Sequence, residues 1–456
     1  MKWRRSQCGT GKETADAWTP GNGAEAGGAP RVIVVGAGFG GLAAVEELAG
    51  SGAQVMLIDR NVYSTFQPLL YQVATAGLNP GDVAYPVRGF ARKRCVRFRL
   101  GELIRIQPEL REITLADGWR YEYDYLILAT GVSAAYYGVT GAAEHTLGLY
   151  TRRDAITLRD HIMARLERLD LAGPEKDVNF TVVGGGATGV ELAGALAELR
   201  TTALDAAFPE IEGTSVHIRL VEMAPSLIGP FHADLRDYAY QQLQERGVDV
   251  RLSATIKEVT PDSVRLASGE DLPSDVTVWA AGVSAPPLAG QWGLPQGRGG
   301  RIMVRPDLRV HGQDRIFAIG DIALVDDQPL PQLAQPAIQG GRHAARQIRQ
   351  LVAGRPAGPF RYHDKGIMAT IGRRSAIVQF PRGLHIRGTI AWLAWLALHL
   401  ITLLGNRNRL SALLNLTVRY LSWGHGGGII VGDDPPVIGS AGPPELTAPG
   451  ASRGPG

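Results

Sequence analysis

The chain has 456 residues, 45% of them hydrophobic and 20% charged, which excludes a disordered tail or a fibrous repeat and leaves room for about three domains at roughly 150 residues each. Lys plus Arg total 47 against 44 for Asp plus Glu, a formal charge of +3, too even a balance to argue for a nucleic-acid partner. The two cysteines, Cys8 and Cys95, are too few for a disulfide framework, a Cys-x-x-Cys redox pair or a four-ligand zinc site, so no metal centre is expected, the chain reads as cytosolic, and redox chemistry has to come from a bound cofactor.

Residues 1–30 carry no apolar periodicity and no sustained apolar core behind Lys2, Arg4 and Arg5, which predicts a disordered leader rather than a signal peptide. Arg31 to Gly41 then reads RVIVVGAGFGG, a strand buried on both faces, a glycine turn and the start of a helix running from Leu42 to Leu48. Gln54 to Ile58 is a second strand, ending at Asp59. Phe98 to Leu115 is β-rich, and Tyr123 to Gly131 closes the unit with a buried strand running into Ala129-Thr130-Gly131. The pattern then recurs. Asn179 to Gly189 reads NFTVVGGGATG before a predicted helix from Val190 to Leu199, Val216 to Val221 is a strand ending at Glu222, and Ser274 to Gly282 closes the second unit. Gly36 to Gly131 spans 95 residues and Gly184 to Gly282 spans 98, so the chain carries two nucleotide-binding modules of one architecture.

Gly36-x-Gly38-x-x-Gly41 and Gly184-x-Gly186-x-x-Gly189 each follow a strand and open a helix, the context a dinucleotide fingerprint requires. The first glycine permits the tight turn, the second admits a pyrophosphate to the backbone, and the third packs the helix on the strand. The helix N-terminus then holds the phosphates. Asp59, 18 residues after Gly41, stands where a carboxylate accepts hydrogen bonds from ribose hydroxyls. Glu222 comes 33 residues after Gly189, which assigns Thr201 to Thr214 to an extended helix and loop. An acid there repels a 2′-phosphate, so NADH is preferred over NADPH. The competing reading makes Asp59 and Glu222 helix-capping or surface acids.

Arg315 to Asp321 is a further strand running into Gly320-Asp321, and Leu333 to Gly341 leads into a helix expected from His343 to Val352. From Gly388 to Asn406 there are 19 residues without Lys, Arg, Asp or Glu, but the densest block, Ile390 to Leu404, is 15 residues, about 22 Å against roughly 30 Å of hydrocarbon. It contains His399 and Thr402, and Arg387, Arg407 and Arg409 flank it. Leu410 to Leu421 is a second apolar stretch, broken by Asn415 and Arg419 and ended by Trp423. Two helices lying in a lipid surface fit this pattern; a buried core helix or a dimer contact is the alternative. Asp433 to Gly456 is expected to be a disordered tail.

With these elements in place the chain resembles the type II NADH dehydrogenases, single-subunit NADH:quinone oxidoreductases that pump no protons. The resemblance runs from about Arg31 to the Tyr420 region and rests on Phe66 to Ala74 (FQPLLYQVA), Ala334-Gln335 and Asp364 to Gly372 (DKGIMATIG), besides the shared fingerprints and Gly320-Asp321. It implies an α/β fold of two nested Rossmann-like dinucleotide-binding domains with a C-terminal membrane-associating helical region. Residues 31–150 and 291–350 would bind FAD through Gly36, Gly38, Gly41, Asp59, Ala129, Thr130, Gly131, Gly320 and Asp321, the last accepting from the ribityl chain. Residues 151–290 would bind NADH through Gly184, Gly186, Gly189 and Glu222, and residues 351–432 would carry the amphipathic anchor.

The resemblance also places Ala334, Gln335 and Gln339 beside the isoalloxazine on the quinone side, although Gly340 stands where another Gln is common, and puts Glu191 near the nicotinamide. Glu191 and Lys365 are the candidates for delivering protons to the quinone, menaquinone or ubiquinone. Their bland readings are a helix first-turn acid and a solvated surface charge. The implied protein is a peripheral, monotopic homodimer on the cytoplasmic face of the cell membrane. The cysteine spacing does not suit the related sulfide:quinone reductases. A soluble NAD(P)H-dependent flavoprotein reductase of another acceptor, and a catalytically silent NAD-binding redox sensor, are the remaining alternatives.

Overall fold

The computed structural model describes residues 28–422 apart from 173–176, 205–207, 210 and 327–329; most of the expected leader and all of the expected tail, with Trp423, lie outside the described residues. Two five-stranded parallel sheets organise the rest. In the first, the strand order is Ile316–Ala318, Tyr125–Leu128, Arg31–Val35, Gln54–Asp59 and Arg97–Leu100. In the second it is Leu147–Gly148, Val276–Trp279, Val178–Val183, Val216–Val221 and Val248–Arg251. Val32, Ile33, Val34, Leu126, Ile127 and Leu128 are fully buried, as central strands covered on both faces must be.

Each sheet carries its own three-stranded antiparallel sheet, formed by Leu103–Gln107, Glu112–Leu115 and Arg120–Glu122 in the first and by Ile256–Val259, Ser263–Leu266 and Asp271–Pro273 in the second. The strand Ile316–Ala318 returns to the edge of the first sheet after the second is complete, so the second module is inserted within the first. Where the chain crosses between them, Ser133–Ala134 pairs antiparallel with Val283–Ser284.

The helices that position the site are α1 (Phe39–Leu48), α2 (Leu70–Ala74), α3 (Arg152–Ala172), α4 (Ala187–Glu198), α5 (Ala233–Glu245), α6 (Ala334–Val352), α7 (Thr389–Thr402) and α8 (Asn406–Ser422). Both fingerprint helices start three residues before their sequence-based limits, because the last three fingerprint residues are already helical. The helix α4 widens into a π turn over Leu199–Ala203, and a 3-10 turn over Gly213–Ser215 leads into the next strand, both overlapping the extension expected before Glu222. The expected start of α6 at His343 is corrected to Ala334. Pro336 needs no N–H in the first turn, and the glycines that read as a loop are packing contacts: a Cβ on Gly341 would overlap the carbonyl oxygen of Gly40 in α1.

Beyond α6, Ile367–Gly372, Ser375–Gln379 and His385–Arg387 form an antiparallel sheet. It lies on α4 so closely that a Cβ on Gly194 would overlap the carbonyl oxygen of Ile371. The helix α7 continues from this sheet and buries Ala391 and Trp395 against the body.

Candidate active site

The two fingerprints fold alike because the same backbone demand falls on each. Gly36 and Gly184 both sit at φ +107°, a conformation that favours glycine. A Cβ on Gly41 would overlap the Gly36 carbonyl, and one on Gly189 the Gly184 carbonyl. The middle glycines, Gly38 and Gly186, face open space with nothing within 4 Å of a Cβ, and α1 and α4 begin immediately after them with no side-chain cap. The result is two open cradles of unpaired backbone donors suited to a pyrophosphate.

The two strand-end acids stand across these cradles. Asp59 Oδ2 accepts from the Ala37 N–H at 2.6 Å and Oδ1 from the Asn61 N–H at 2.7 Å; burial raises its pKa above the usual carboxylate range, against the pull of those bonds. Glu222 Oε2 accepts from Gly185 N–H and Oε1 from Ala224 N–H at 2.7 Å. Neither acid caps a helix: each ties its strand to its glycine turn and keeps a carboxylate at the cradle's rim.

Ala129 follows its strand and donates to Val35 O at 2.8 Å, and a Cβ on Gly36 would overlap its carbonyl. Thr130 Oγ1 is buried without a hydrogen-bond partner among the described residues, and so is Gln67 Oε1, in the FQPLL segment. Asp321, in the short turn after Ile316–Ala318, has its carboxyl pushed up to about 6 by burial, with Arg301 and the Tyr150 hydroxyl pulling the other way. That tyrosine is held in its neutral form by burial and by Asp321, and its hydroxyl would stand 3.3 Å from a Cβ on Gly131. Tyr150 and Arg301 were missed in the sequence because neither lies in a repeat or a glycine turn. An open glycine cradle and two orphaned buried polar atoms fit a large polar cofactor in the first module.

The Gly320-Asp321 turn lies against the start of α6, with 3.0 Å from a Cβ on Gly320 to the Ala337 Cβ. Ala334 and Gln335 open that helix, so their N–H groups have no intrahelical acceptor. Gln339 accepts from the His363 N–H at 3.0 Å and donates to His363 O at 3.0 Å, while its amide reaches Gln335 Oε1 at 3.5 Å. Gln339 therefore clamps the 363 loop to α6. Lys365, in that loop, is exposed, and no bond joins it to another described residue.

Glu191 stands where three segments meet. It projects from α4, its Oε1 accepts from the Thr370 N–H at 3.3 Å, and the Trp395 side chain in α7 hydrogen-bonds to it. Some of its surface reaches solvent, but protein surrounds the carboxyl closely enough that desolvation dominates and raises its pKa to about 8. Glu191 is the fifth residue of α4, so it is not the first-turn acid of the competing reading. Trp395, 2% exposed, stacks on His399 with centroids 4.1 Å apart, and His399 meets Phe66 edge-on at 6.1 Å. Burial depresses the His399 pKa to about 4, and its Nδ1–H donates to Trp395 O at 2.7 Å. The FQPLL segment, α4 and α7 are thus joined by one aromatic wall that periodicity alone could not assemble.

A family model described as pyridine nucleotide-disulphide oxidoreductase matches residues 30–341. A type II NADH:quinone oxidoreductase of Mycobacterium tuberculosis is 38% identical over 412 residues, covering 86% of this chain and 88% of the relative. The chain belongs to the type II NADH:quinone oxidoreductases. A second family member, from Staphylococcus haemolyticus, is 29% identical over 360 residues, covering 76% and 89% of the two chains. In fold, this type II oxidoreductase superposes on a Plasmodium falciparum structure in complex with NADH at TM-score 0.81 and 17% identity, over 88% of this chain and all of that one. The sulfide:quinone oxidoreductase of Aquifex aeolicus follows at TM-score 0.70, 19% identity and coverages of 86% and 95%. Membership makes the protein an enzyme that oxidises NADH and reduces a quinone, with a flavin between them.

Proposed function

We propose that this chain binds FAD in the first cradle and NADH in the second, and that it delivers electrons to a membrane quinone, menaquinone or ubiquinone, without pumping protons. The observation that carries the reading is Glu191: one desolvated carboxyl joins α4 of the second module to Thr370 and to Trp395 of α7, a helix with exposed apolar side chains. When bound, the flavin supplies the two-electron relay between a hydride donor and a quinone, chemistry that no side chain provides.

The chain's own residues do the rest. Gly36, Gly38 and Gly41, with Asp59, hold one nucleotide, Gly184, Gly186 and Gly189, with Glu222, the other. Asp321 would accept from the ribityl chain, Ala129, Thr130 and Gly131 would line the cofactor, and the backbone donors of Ala334 and Gln335 would be available to its ring. Glu191 keeps a proton at neutral pH because its carboxyl is desolvated, and releases it when charge develops on the quinone oxygen. Lys365 serves as a second donor once loop and quinone come together.

The quinone is met at a lipid surface. Ile390, Leu393, Leu398 and Ile401 on α7, and Leu410, Leu413, Leu414 and Val418 on α8, are all exposed, a patch that water does not favour. At 14 residues α7 is about 21 Å long, short of roughly 30 Å of hydrocarbon, and among the described residues no helix is long and apolar enough to cross a membrane. Three polar side chains of α8 turn inward: Asn415 Nδ2 and Ser411 Oγ donate to Asp82 at 2.6 and 2.7 Å, and Asn408 Nδ2 donates to Ala84 O at 2.8 Å. These bonds hold α8 against the first module, and α7 meets it through Trp395 and Tyr71; our reading of the outward apolar residues is a monotopic anchor on the cytoplasmic face, in a homodimer.

An absorption spectrum tests the reading. Purified protein should be yellow, bleach with NADH and recover with a short-chain quinone; a colourless protein refutes it.

A further inference from the structure

We infer that His232, Asp234 and His385 form a divalent-cation site of the zinc class, at the seam between the NADH-side module and the sheet that leads into α7. His232 immediately precedes α5, Asp234 is the second residue of that helix, and His385 opens the strand His385–Arg387. One ligand atom from each lies within 4.8 Å of the other two. Asp234 Oδ2 is at the middle, 3.7 Å from His232 Nδ1 and 4.0 Å from His385 Nε2. Both gaps are too long for hydrogen bonds. Three lone-pair atoms converge without sharing a proton, and a tetrahedral ion with bonds of about 2.0–2.1 Å would draw them to roughly 3.3 Å of one another.

Two supports make this more than a chance surface cluster. His385 Nδ1 is bonded to the Gly383 carbonyl at 3.1 Å, which places the proton on that nitrogen and leaves Nε2 free to ligate, the usual arrangement behind a metal-bound imidazole. The backbone is also tied: His232 N–H donates to Gln379 Oε1 at 2.7 Å, and Gln379 faces His385 across the strand pair. The two imidazole rings stack at 5.2 Å with an 18° interplanar angle, an arrangement that two imidazolium ions would resist and that two neutral, metal-ligating imidazoles allow. Two imidazoles and one carboxylate select zinc-like ions over Mg²⁺ or Ca²⁺, which prefer all-oxygen shells; water completes the coordination. Because His385 is three residues from Gly388, the ion would fix the entry to α7.

Untagged, flavin-loaded, full-length protein stripped with chelator is titrated with Zn²⁺ and with Mg²⁺ by calorimetry, and its thermal midpoint is followed. One saturable Zn²⁺ site, no Mg²⁺ site and a Zn²⁺-dependent rise in midpoint are expected. His385→Asn and Asp234→Asn, both at exposed or half-buried positions, should each weaken Zn²⁺ binding by at least about tenfold with flavin content unchanged. No saturable Zn²⁺ binding, or binding that survives either substitution, overturns the site.

Discussion

Glu191→Gln removes the carboxyl where α4, the Thr370 strand and α7 meet while keeping its shape. In the native protein the carboxyl titrates at about 8 rather than 4.5. At about 1.4 kcal/mol per unit, that shift corresponds to at most roughly 5 kcal/mol between protonation states, and to less where cleft water screens the charge. The raised pKa fixes the sign. Between pH 4.5 and about 8 the folded protein holds a proton that the unfolded chain has released, so this group's contribution is complete below 4.5 and is lost as pH rises to about 8. Denaturant unfolding of the flavin-loaded enzyme at pH 5 to 9 should show stability falling across that window in the native chain, and a flatter profile by several kcal/mol in Glu191→Gln. In turnover, quinone reduction should decline with a midpoint near pH 8 as the stored proton is lost, and the variant should lose that limb. Identical pH slopes in the two proteins, in stability and in turnover, would refute a desolvated proton store at Glu191.

Four other outcomes follow from the geometry. Trp395→Phe keeps an aromatic side chain but deletes the N–H that favours the Glu191 carboxylate, so the alkaline limb should move to higher pH, with about 1.5–3 kcal/mol at stake for a bond to a charged group; a pH–rate titration reads it. Gly189→Ala forces a Cβ into the Gly184 carbonyl and should abolish NADH binding by fluorescence titration while the protein stays yellow, whereas Gly41→Ala should lose the flavin. Glu222→Ser with Met223→Arg exploits the exposed neighbour, 73% accessible, and should shift the kcat/KM ratio toward NADPH; an unchanged ratio removes the role given to Glu222. Ile401→Asp with Leu414→Asp places charges only on outward positions, so the folded enzyme should leave anionic vesicles in a flotation assay, whereas truncation at Gly388 would also strip Trp395 from the core.

Much of the protein was legible in the chain because its constraints are local. The strand, glycine and acid order of Arg31 to Asp59 and of Asn179 to Glu222 encodes a tight turn, and a turn is decided by a few consecutive residues. Both parallel sheets and both cradles, with Asp59 and Glu222 at their rims, followed from that order, as did the two C-terminal helices from their apolar runs. Pairings between distant segments were not legible. The glycines of α6 read as a loop because nothing nearby in sequence reveals that α1 crosses there. Asn415 read as an interruption of an apolar run because periodicity cannot say that its amide finds Asp82. Tyr150 and Arg301 carry no motif at all; only the returning strand Ile316–Ala318 brings Asp321 to them. The sequence by itself determined which coenzyme chemistry the chain is built for, since that depends on backbone turns. The tertiary structure decided where a proton can be stored, since desolvation of Glu191 depends on Thr370 and Trp395, residues about 180 and 200 positions away that only packing brings to one carboxyl.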